Sequence, residues 1–281
     1  MPRKLILSRK GFDGSAGGKP SPILDNKFVS LPIPSADSGI FYKDMAFSSQ
    51  ENYLKIMKDL GIKQFSEAHL DPDLQRSLLD RRPEEWRGLF GQSGISQGTL
   101  HNRDVGEGDI FLFFGWFKEA RKEDGVWRYV PHAPDIHAIF GYLEVDRALD
   151  IKAGDPIPSW TSYHPHIKNS HEHQKGRNSV YMATPTFSKN AKQTGWGCFH
   201  YAPRLVLTDE AKTARSFWRL PACFQGEQDQ FIPKIKTWNV LRDGSIEMQT
   251  TGRGDQEMYV SSNSKVVEWA EELIMNCSIY K

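Results

Sequence analysis

Ile110-Phe-Leu-Phe-Phe-Gly-Trp-Phe117 is an almost unbroken apolar stretch, rich in aromatic side chains. Gly106, Gly108 and Asp109 precede it as turn residues. An apolar run of this length with strong β-propensity, bounded by turn signals, predicts a strand that is buried on both faces. We therefore place this stretch at the centre of the sheet.

Further elements are predicted on both sides of this central strand. Short strands are expected at 5–7, 28–33, 137–145, 180–184, 205–207 and 258–260, and amphipathic helices at 48–60 and 265–275. Strands and helices do not alternate regularly, which argues against a doubly wound parallel sheet. The expected class is α+β, with a core that is either a mixed, mostly antiparallel sheet or a β-barrel, and with peripheral helices.

Length and charge limit the possible functions. The 281 residues are expected to form one domain, and 36 Lys and Arg against 35 Asp and Glu give a net charge of +1. This charge produces no overall field that would draw the protein onto nucleic acid or an anionic membrane. The three cysteines are far apart and form no CxxC pair, and no apolar run has the length of a membrane span. We expect a cytoplasmic protein without a membrane partner.

The segment from Ser8 to Pro22 (SRKGFDGSAGGKPSP) concentrates glycine, proline, serine and cationic residues directly after a short apolar strand. Such a loop brings backbone N–H groups and positive charge close to an anion. Asp13 is its single acidic residue, so its ionised form is favoured. The segment predicts a site for a phosphate or sugar-phosphate below a carboxylate, and the alternative is a tight turn with solvated charges.

Two histidine motifs are candidates for catalysis. His69 and Asp71 lie two residues apart, on one side of an extended segment, where they can act as a general base and its orienting partner or help to hold a divalent metal. The alternative is a turn in which Asp71 caps a helix that begins at Pro72. His164 and His166 are expected to share a strand face, as metal-binding pairs do, or to provide acid and base at one phosphodiester or glycosidic centre. His171 and His173 are interpreted as ordinary loop histidines. We expect no bound metal and no cofactor.

The stretch 90–102 (FGQSGISQGTLHN) is interpreted as a second polar, glycine-rich loop. Its neutral donors and acceptors suit a base edge or sugar hydroxyls, and a structural turn network is the alternative. The residues predicted to bind the phosphate or nucleotide are Ser8, Arg9, Lys10, Gly11, Ser15, Gly17, Gly18, Gln92, Ser93, Gln97, His101 and Asn102.

These motifs resemble the nucleotide modification associated domain 3 family. The resembling segments are 5–23, 30–34, 68–74, 90–102, 108–117, 137–145 and 164–166. The resemblance implies a link to base-modification systems of phages and bacteria, without identifying a reaction. A local similarity of residues 106–145 to PUA-like, EVE and ASCH base-binding barrels implies a possible PUA-like core at about 100–210.

Three functions follow from the motifs and these resemblances. The first is an enzyme that acts on a modified base or its glycosidic bond, with Asp13 as nucleophile or stabiliser of an oxocarbenium-like centre. The second is a reader that binds a modified base without changing it. The third is a hydrolase or transferase of a free nucleotide. The expected partner is DNA or a nucleotide carrying a modified base, and the oligomeric state is open.

Overall fold

The computed structural model describes residues 2–80, 82–170, 176–250 and 256–280. The strands are β1 (Leu5–Arg9), β2 (Ser21–Leu24), β3 (Lys27–Phe28), β4 (Ile33–Pro34), β5 (Ala68–His69), β6 (Leu89–Ser93), β7 (Ile110–Glu123), β8 (Val126–Tyr129), β9 (Ile136–Asp150), β10 (Asn178–Ala183), β11 (Trp196–Phe199), β12 (Phe217–Leu220), β13 (Ile235–Val240), β14 (Ile246–Thr250), β15 (Glu257–Ser261) and β16 (Ile279–Tyr280). The helices are α1 (Tyr53–Asp59), α2 (Gly94–Asn102), α3 (Pro165–Lys168) and α4 (Ser264–Asn276). The predicted α+β class with a sheet-dominated core is confirmed.

The predicted central strand is β7, and it is longer than the apolar run. It pairs with β1 and β2 in parallel and with β8 and β9 antiparallel. Residues Ile110 to Phe114 are fully buried. The second half of β7 is polar because it leaves the core and forms a hairpin with β8.

The main sheet has the strand order β15-β1-β7-β9-β10-β6, with β11 paired to β9 and β16 paired to β11. The two parallel pairs both involve β7, and the other pairs of this sheet are antiparallel. Two small sheets, β12-β14-β13 and β4-β5, complete the fold. The predicted mixed, mostly antiparallel arrangement is therefore confirmed.

The main sheet curls until its two end strands, β6 and β15, face each other. Phe90 of β6 contacts Phe111 and Phe113 of β7, with ring centroids 4.9 and 5.1 Å apart, although β9 and β10 lie between these strands in the sheet. Gln92 of β6 donates a hydrogen bond to Glu257 of β15. Across the described ranges no backbone ladder joins the two strands. The core is a curled open sheet, and the alternative of a closed PUA-like barrel is wrong.

Four local predictions need correction. The stretch 90–102 forms the end of β6 and the whole of α2, because Gln92, Gln97 and Leu100 pack inside the protein. No strand forms at 205–207, because Leu205 ends a 3-10 turn, Pro203–Leu205, and Val206 makes only an isolated bridge to Ala138 of β9. The expected strand at 28–33 divides into β3 and β4. Asp71 caps no helix at Pro72, because the next helical turn begins only at Arg76.

The two long predicted helices are present with adjusted ends. The first is shorter than expected because Asn52 caps it and accepts a hydrogen bond from the Lys55 N–H. The second is α4, which lies against the sheet through Val266, Ala270 and Ile274. In the parts of the chain described, none of the helices combines the length and the apolar character needed to cross a membrane. Histidines 171 and 173 lie outside the described residues.

Candidate active site

Four predicted catalytic residues that are far apart in sequence lie together beside β6. His69 ends β5, and Asp71 follows it by two positions. His164 is the N-cap residue of α3, and His166 lies within that helix. The prediction that His164 and His166 share a strand face is therefore wrong, because a proline between them starts a helical turn. The fold nevertheless brings both histidines to Asp71.

We call these four residues, His69, Asp71, His164 and His166, the histidine–aspartate cluster. The Nε2 atoms of His69 and His166 are 3.2 Å apart. The Asp71 carboxylate lies 3.5 Å from His164 Nε2 through Oδ1 and 3.8 Å from His166 Nε2 through Oδ2. His164 and His166 are 0% and 3% exposed, whereas His69 is half-buried. The cluster therefore meets the surface through His69.

Asp71 is ionised within this buried setting. Its side chain is 5% exposed, and its Oδ1 accepts a 2.6 Å hydrogen bond from the Gly91 N–H. Burial by itself raises the pKa of this carboxyl. The adjacent imidazoles of His164 and His166 and the charge of Lys10 outweigh burial, and the pKa lies well below its usual range.

Asn178 of β10 fixes the orientation of the His166 ring. The Asn178 Nδ2 donates to the His166 carbonyl oxygen at 2.8 Å, which leaves its Oδ1 2.9 Å from His166 Nδ1. An amide oxygen only accepts, so Nδ1 carries the ring proton and Nε2 directs a lone pair into the cluster. Burial lowers the pKa of His166 to about 3, so this ring is neutral near pH 7.

Gly91 of β6 packs directly against two rings of the cluster. A Cβ atom at this position would lie 2.3 Å from His166 Cδ2 and 2.9 Å from His164 Cε1. The close approach therefore requires glycine. Sequence reasoning missed both Gly91 and Asn178 as site residues. Gly91 lies in a motif that was noticed for its polar side chains, whereas Asn178 is not part of any recognisable motif.

Three of the predicted phosphate-binding residues surround a buried carboxylate that the sequence did not indicate. The Lys10 Nζ donates to Gln256 Oε1 at 2.9 Å and lies 3.5 Å from Glu257 Oε1. The same Glu257 oxygen accepts hydrogen bonds from Gln92 at 2.7 Å and from Ser8 at 3.1 Å. Glu257 is 1% exposed. The charge of Lys10 is thus balanced inside the protein.

In the predicted anion-binding loop, the backbone N–H groups bond to the loop's own aspartate, Asp13. The Asp13 Oδ1 accepts hydrogen bonds from the N–H and Oγ of Ser15, both at 2.7 Å, and from the Ala16 N–H at 2.8 Å. Partial burial raises the pKa of Asp13, but these bonds and the charge of Arg9 lower it below its ordinary value. Three glycines of the loop have positive φ, namely Gly11, Gly17 and Gly18. Asp13 thus belongs to a half-buried turn of its own.

The other predicted nucleotide-binding residues lie on α2 and are divided between core and surface. Gln97 is buried and donates to Ser179 Oγ at 3.0 Å. Ser93 is the N-cap residue of α2. His101 and Asn102 are exposed in the last turn of this helix. These side chains do not form one continuous binding surface.

A surface cleft of about 470 Å³ is connected by hydrogen bonds to the segment that carries His164. The Trp86 Nε1 donates to the Tyr163 hydroxyl at 2.7 Å, and Tyr163 immediately precedes His164. This volume is typical of pockets for small organic ligands. The lining residues are Glu84, Glu85, Trp86, Arg87, Arg147, Pro158, Trp160, Met182, Pro185 and Trp196.

Comparison with known proteins supports the resemblance drawn from the motifs. The sequence model of the family described as Nucleotide modification associated domain 3 matches residues 4–260. No curated protein and no solved structure matches the chain. The matched range contains the histidine–aspartate cluster, the Asp13 turn and most of the curled sheet. The chain belongs to the nucleotide modification associated domain 3 family.

Proposed function

We propose that this protein is an enzyme that acts on a modified base, or on its glycosidic bond, in a nucleotide or in DNA. The family description supplies a role in nucleotide modification. The histidine–aspartate cluster supports catalysis in particular, because it combines an ionised, buried Asp71 with three imidazoles, of which His166 is held at a fixed orientation by Asn178. Strongly perturbed titratable groups that share one place in a fold are characteristic of active sites.

The observation that carries this proposal is the unfavourable free energy of burying the histidine–aspartate cluster. Burial of a carboxylate and imidazoles is unfavourable, and apolar residues of similar size would serve a purely structural role at least as well. His164 is fully buried, and neither of its ring nitrogens has a hydrogen-bond partner in the described part of the chain. Such an arrangement is better explained by chemistry than by stability.

Different roles can be assigned to the members of the cluster. His69 is half-buried at the surface side, so it is the group that exchanges a proton with a substrate. Asp71 orients and stabilises the protonated form of this neighbour through its negative charge. Asp13 remains a predicted nucleophile or electrostatic stabiliser, located in a separate turn.

The tryptophan-lined cleft supports a planar substrate. Trp160 is half-buried and lines it together with Trp86 and Trp196. Stacking on such side chains suits any nucleobase. In duplex DNA the target base would have to leave the helix to reach this cleft. A net charge of +1 is better suited to a nucleotide or an already displaced base than to a long contact with the DNA backbone.

The contacts of the 90–102 stretch favour an enzyme over a reader. Gln92 donates to Glu257, and Gln97 donates to Ser179 inside the protein. These two amides were among the side chains expected to read a base edge. Because both are engaged internally, the reader hypothesis loses part of its support.

The test is incubation of the purified chain with base-modified phage DNA, unmodified DNA and the corresponding nucleotides, followed by mass spectrometry of released bases and nucleosides. We expect a new product from a modified substrate, and we expect its formation to be lost in the Asp71→Asn variant. Binding of modified DNA by both proteins without any change in mass would overturn catalysis in favour of a reader.

A further inference from the structure

We infer that His69, Asp71 and His166 bind a divalent first-row transition-metal ion, with His164 as a fourth donor. One ligand atom from each of the first three residues lies within 4.8 Å of the others. Two imidazoles and one carboxylate form the donor set of catalytic zinc sites and of non-haem iron(II) sites. The inference rests on the proposed function and places a metal at the same residues. In the metal-bound protein His69 and Asp71 act as ligands, in place of the proton transfer and charge stabilisation assigned to them above, and the inference departs from the expectation that no metal binds.

The separation of the imidazole nitrogens is that of two ligands of one ion. With metal–nitrogen bonds of about 2.0–2.1 Å, two ligands at 90° are about 2.9 Å apart and two at a tetrahedral angle about 3.4 Å apart. The observed distance between His69 Nε2 and His166 Nε2 is 3.2 Å, between these limits. A cation between the two nitrogens therefore requires little movement of the rings.

The hydrogen bonds around His166 prepare it as a ligand. Asn178 accepts from Nδ1, so the lone pair of Nε2 points towards His69 and Asp71. Histidine ligands of metals commonly donate their other ring N–H to a fixed acceptor in this way, which sets the tautomer and the ring orientation. Asn178 is in turn fixed by its bond to the His166 carbonyl oxygen.

Asp71 is held by the backbone in a comparable manner. Its Oδ1 accepts from the Gly91 N–H at 2.6 Å, which leaves Oδ2, the oxygen that faces His166, for a cation. A carboxylate ligand with one oxygen held by a hydrogen bond is a common arrangement around bound metals. Gly91 therefore supports the site through both its N–H group and its missing side chain.

His164 is the independent observation that points to a ligand. It is 0% exposed, and both of its ring nitrogens are without a hydrogen-bond partner among the described residues. Its Nε2 lies 3.5 Å from Asp71 Oδ1. A buried polar group in this condition calls for an explanation. Coordination to the ion, or a hydrogen bond to a water on the ion, would satisfy the ring.

The experiment uses the full chain after removal of metal by a chelator. Zn²⁺, and Fe²⁺ without oxygen, are added back separately, and bound metal is counted by mass spectrometry. Co²⁺ serves as the optical probe of coordination. We expect one ion per chain and a cobalt spectrum that reports nitrogen and oxygen ligands. A chain that takes up none of the three ions would overturn the inference.

Matched variants locate the ion. His69→Ala, Asp71→Asn and His166→Gln are each expected to weaken binding by more than the roughly 10- to 100-fold that loss of a supporting hydrogen bond causes. Asn178→Ala is expected to fall within that range. His132→Asn is the control, since His132 is exposed and lies in a turn with positive φ that asparagine tolerates. Circular dichroism confirms that each variant is folded.

Two further results bear on the location of the ion and on the reaction. If substitution of both His171 and His173 abolishes binding while the variants of the cluster retain it, the inferred site is wrong. Metal binding without turnover of any nucleotide would leave this inference standing and overturn the proposed reaction. Turnover of a nucleotide by a chain that takes up none of the ions would do the reverse.

Discussion

The backbone N–H of Gly91 donates a 2.6 Å hydrogen bond to Asp71, so a residue of β6 holds the carboxylate of a segment 20 positions earlier. The same glycine leaves no space between its Cα and the two buried imidazoles. One backbone position thus fixes the carboxylate and limits the position of His164 and His166. The following predictions begin from this contact.

Replacement of Gly91 by alanine is expected to abolish activity by displacing the rings. The new Cβ would lie 2.3 Å from His166 Cδ2, and overpacking of this kind costs about 1–3 kcal/mol of stability. Gly98→Ala is the matched control, because this α2 position has open space around its Cα, and the substitution should stabilise the protein by about 0.5–1 kcal/mol. Urea unfolding and turnover measure both effects. Full activity of Gly91→Ala would contradict the assigned geometry.

The two candidate carboxylates can be separated by paired substitutions. We expect Asp71→Asn to lower turnover by about 10²- to 10⁴-fold, since the negative charge beside His69 is lost. Asp13→Asn should have a smaller effect, because an amide oxygen still accepts the bonds from Ser15 and Ala16. Steady-state kinetics on one substrate gives the comparison. A loss in Asp13→Asn as large as that in Asp71→Asn would favour Asp13 as the nucleophile and contradict the smaller role that its turn suggests.

If a nucleobase stacks on tryptophan in the cleft, removal of that side chain should weaken substrate binding. Trp160→Ala should raise KM by an amount equivalent to about 1–3 kcal/mol with little change in kcat. Trp238→Ala is the control, because this half-buried tryptophan lies in the small sheet and does not line the cleft. If both variants have the KM of the parent, the cleft does not receive the base.

The ion pair between Lys10 and Glu257 predicts that substitutions of the two residues have coupled effects on the free energy of unfolding. Both side chains are at least nine-tenths buried. Lys10→Met should destabilise the fold by about 3–5 kcal/mol, because it leaves a buried charge without compensation. The double variant with Glu257→Gln should recover most of that loss. Guanidinium unfolding of the four proteins forms a double-mutant cycle, and additive losses would exclude the coupling.

The lowered pKa of the buried His137 imidazole predicts that the protein loses stability in acid. Burial, with a further contribution from the charges of Arg215 and Arg9, lowers its pKa from 6.5 to about 3. The unfolded chain therefore binds a proton more readily than the folded one. The stabilisation is complete above pH 6.5 and is lost as the pH falls towards 3, at up to about 1.4 kcal/mol per pH unit.

His137→Asn isolates this contribution, since an amide oxygen can accept the hydrogen bond that Trp218 donates to the ring. The variant should be less stable than the parent near pH 7, and the difference should shrink as the pH falls from 6.5. A constant difference across this range would show that His137 does not titrate as described.

The sequence alone predicted the elements that are specified by a pattern of neighbouring residues. The apolar run at 110–117 predicted the central strand because burial on both faces leaves an uninterrupted pattern. His69 and Asp71 were identified because side chains two positions apart in an extended segment lie on one side.

Other features depended on tertiary contacts. The stretch 90–102 contains three glycines and was interpreted as a loop, but packing of Gln97 and Leu100 makes most of it helical. Glu257 lies far along the chain from Lys10, and Asn178 bonds to His166 across a stretch of 12 residues without a regular pattern, so no local pattern could connect them. Only the packing of strands and α3 in the fold places these residues together.

The end strands β6 and β15 of the main sheet meet along a line of side-chain contacts, which we call the seam. This seam affects where the protein opens locally. These strands meet through side chains, so the curled sheet can widen there by exchanging a few hydrogen bonds with water while every ladder stays intact. We therefore expect the core to open locally beside Gly91, so that amide protons near this seam exchange sooner than those of β7. Such an opening would lie next to the candidate active site, where Gly91 contacts Asp71 and the two buried imidazoles.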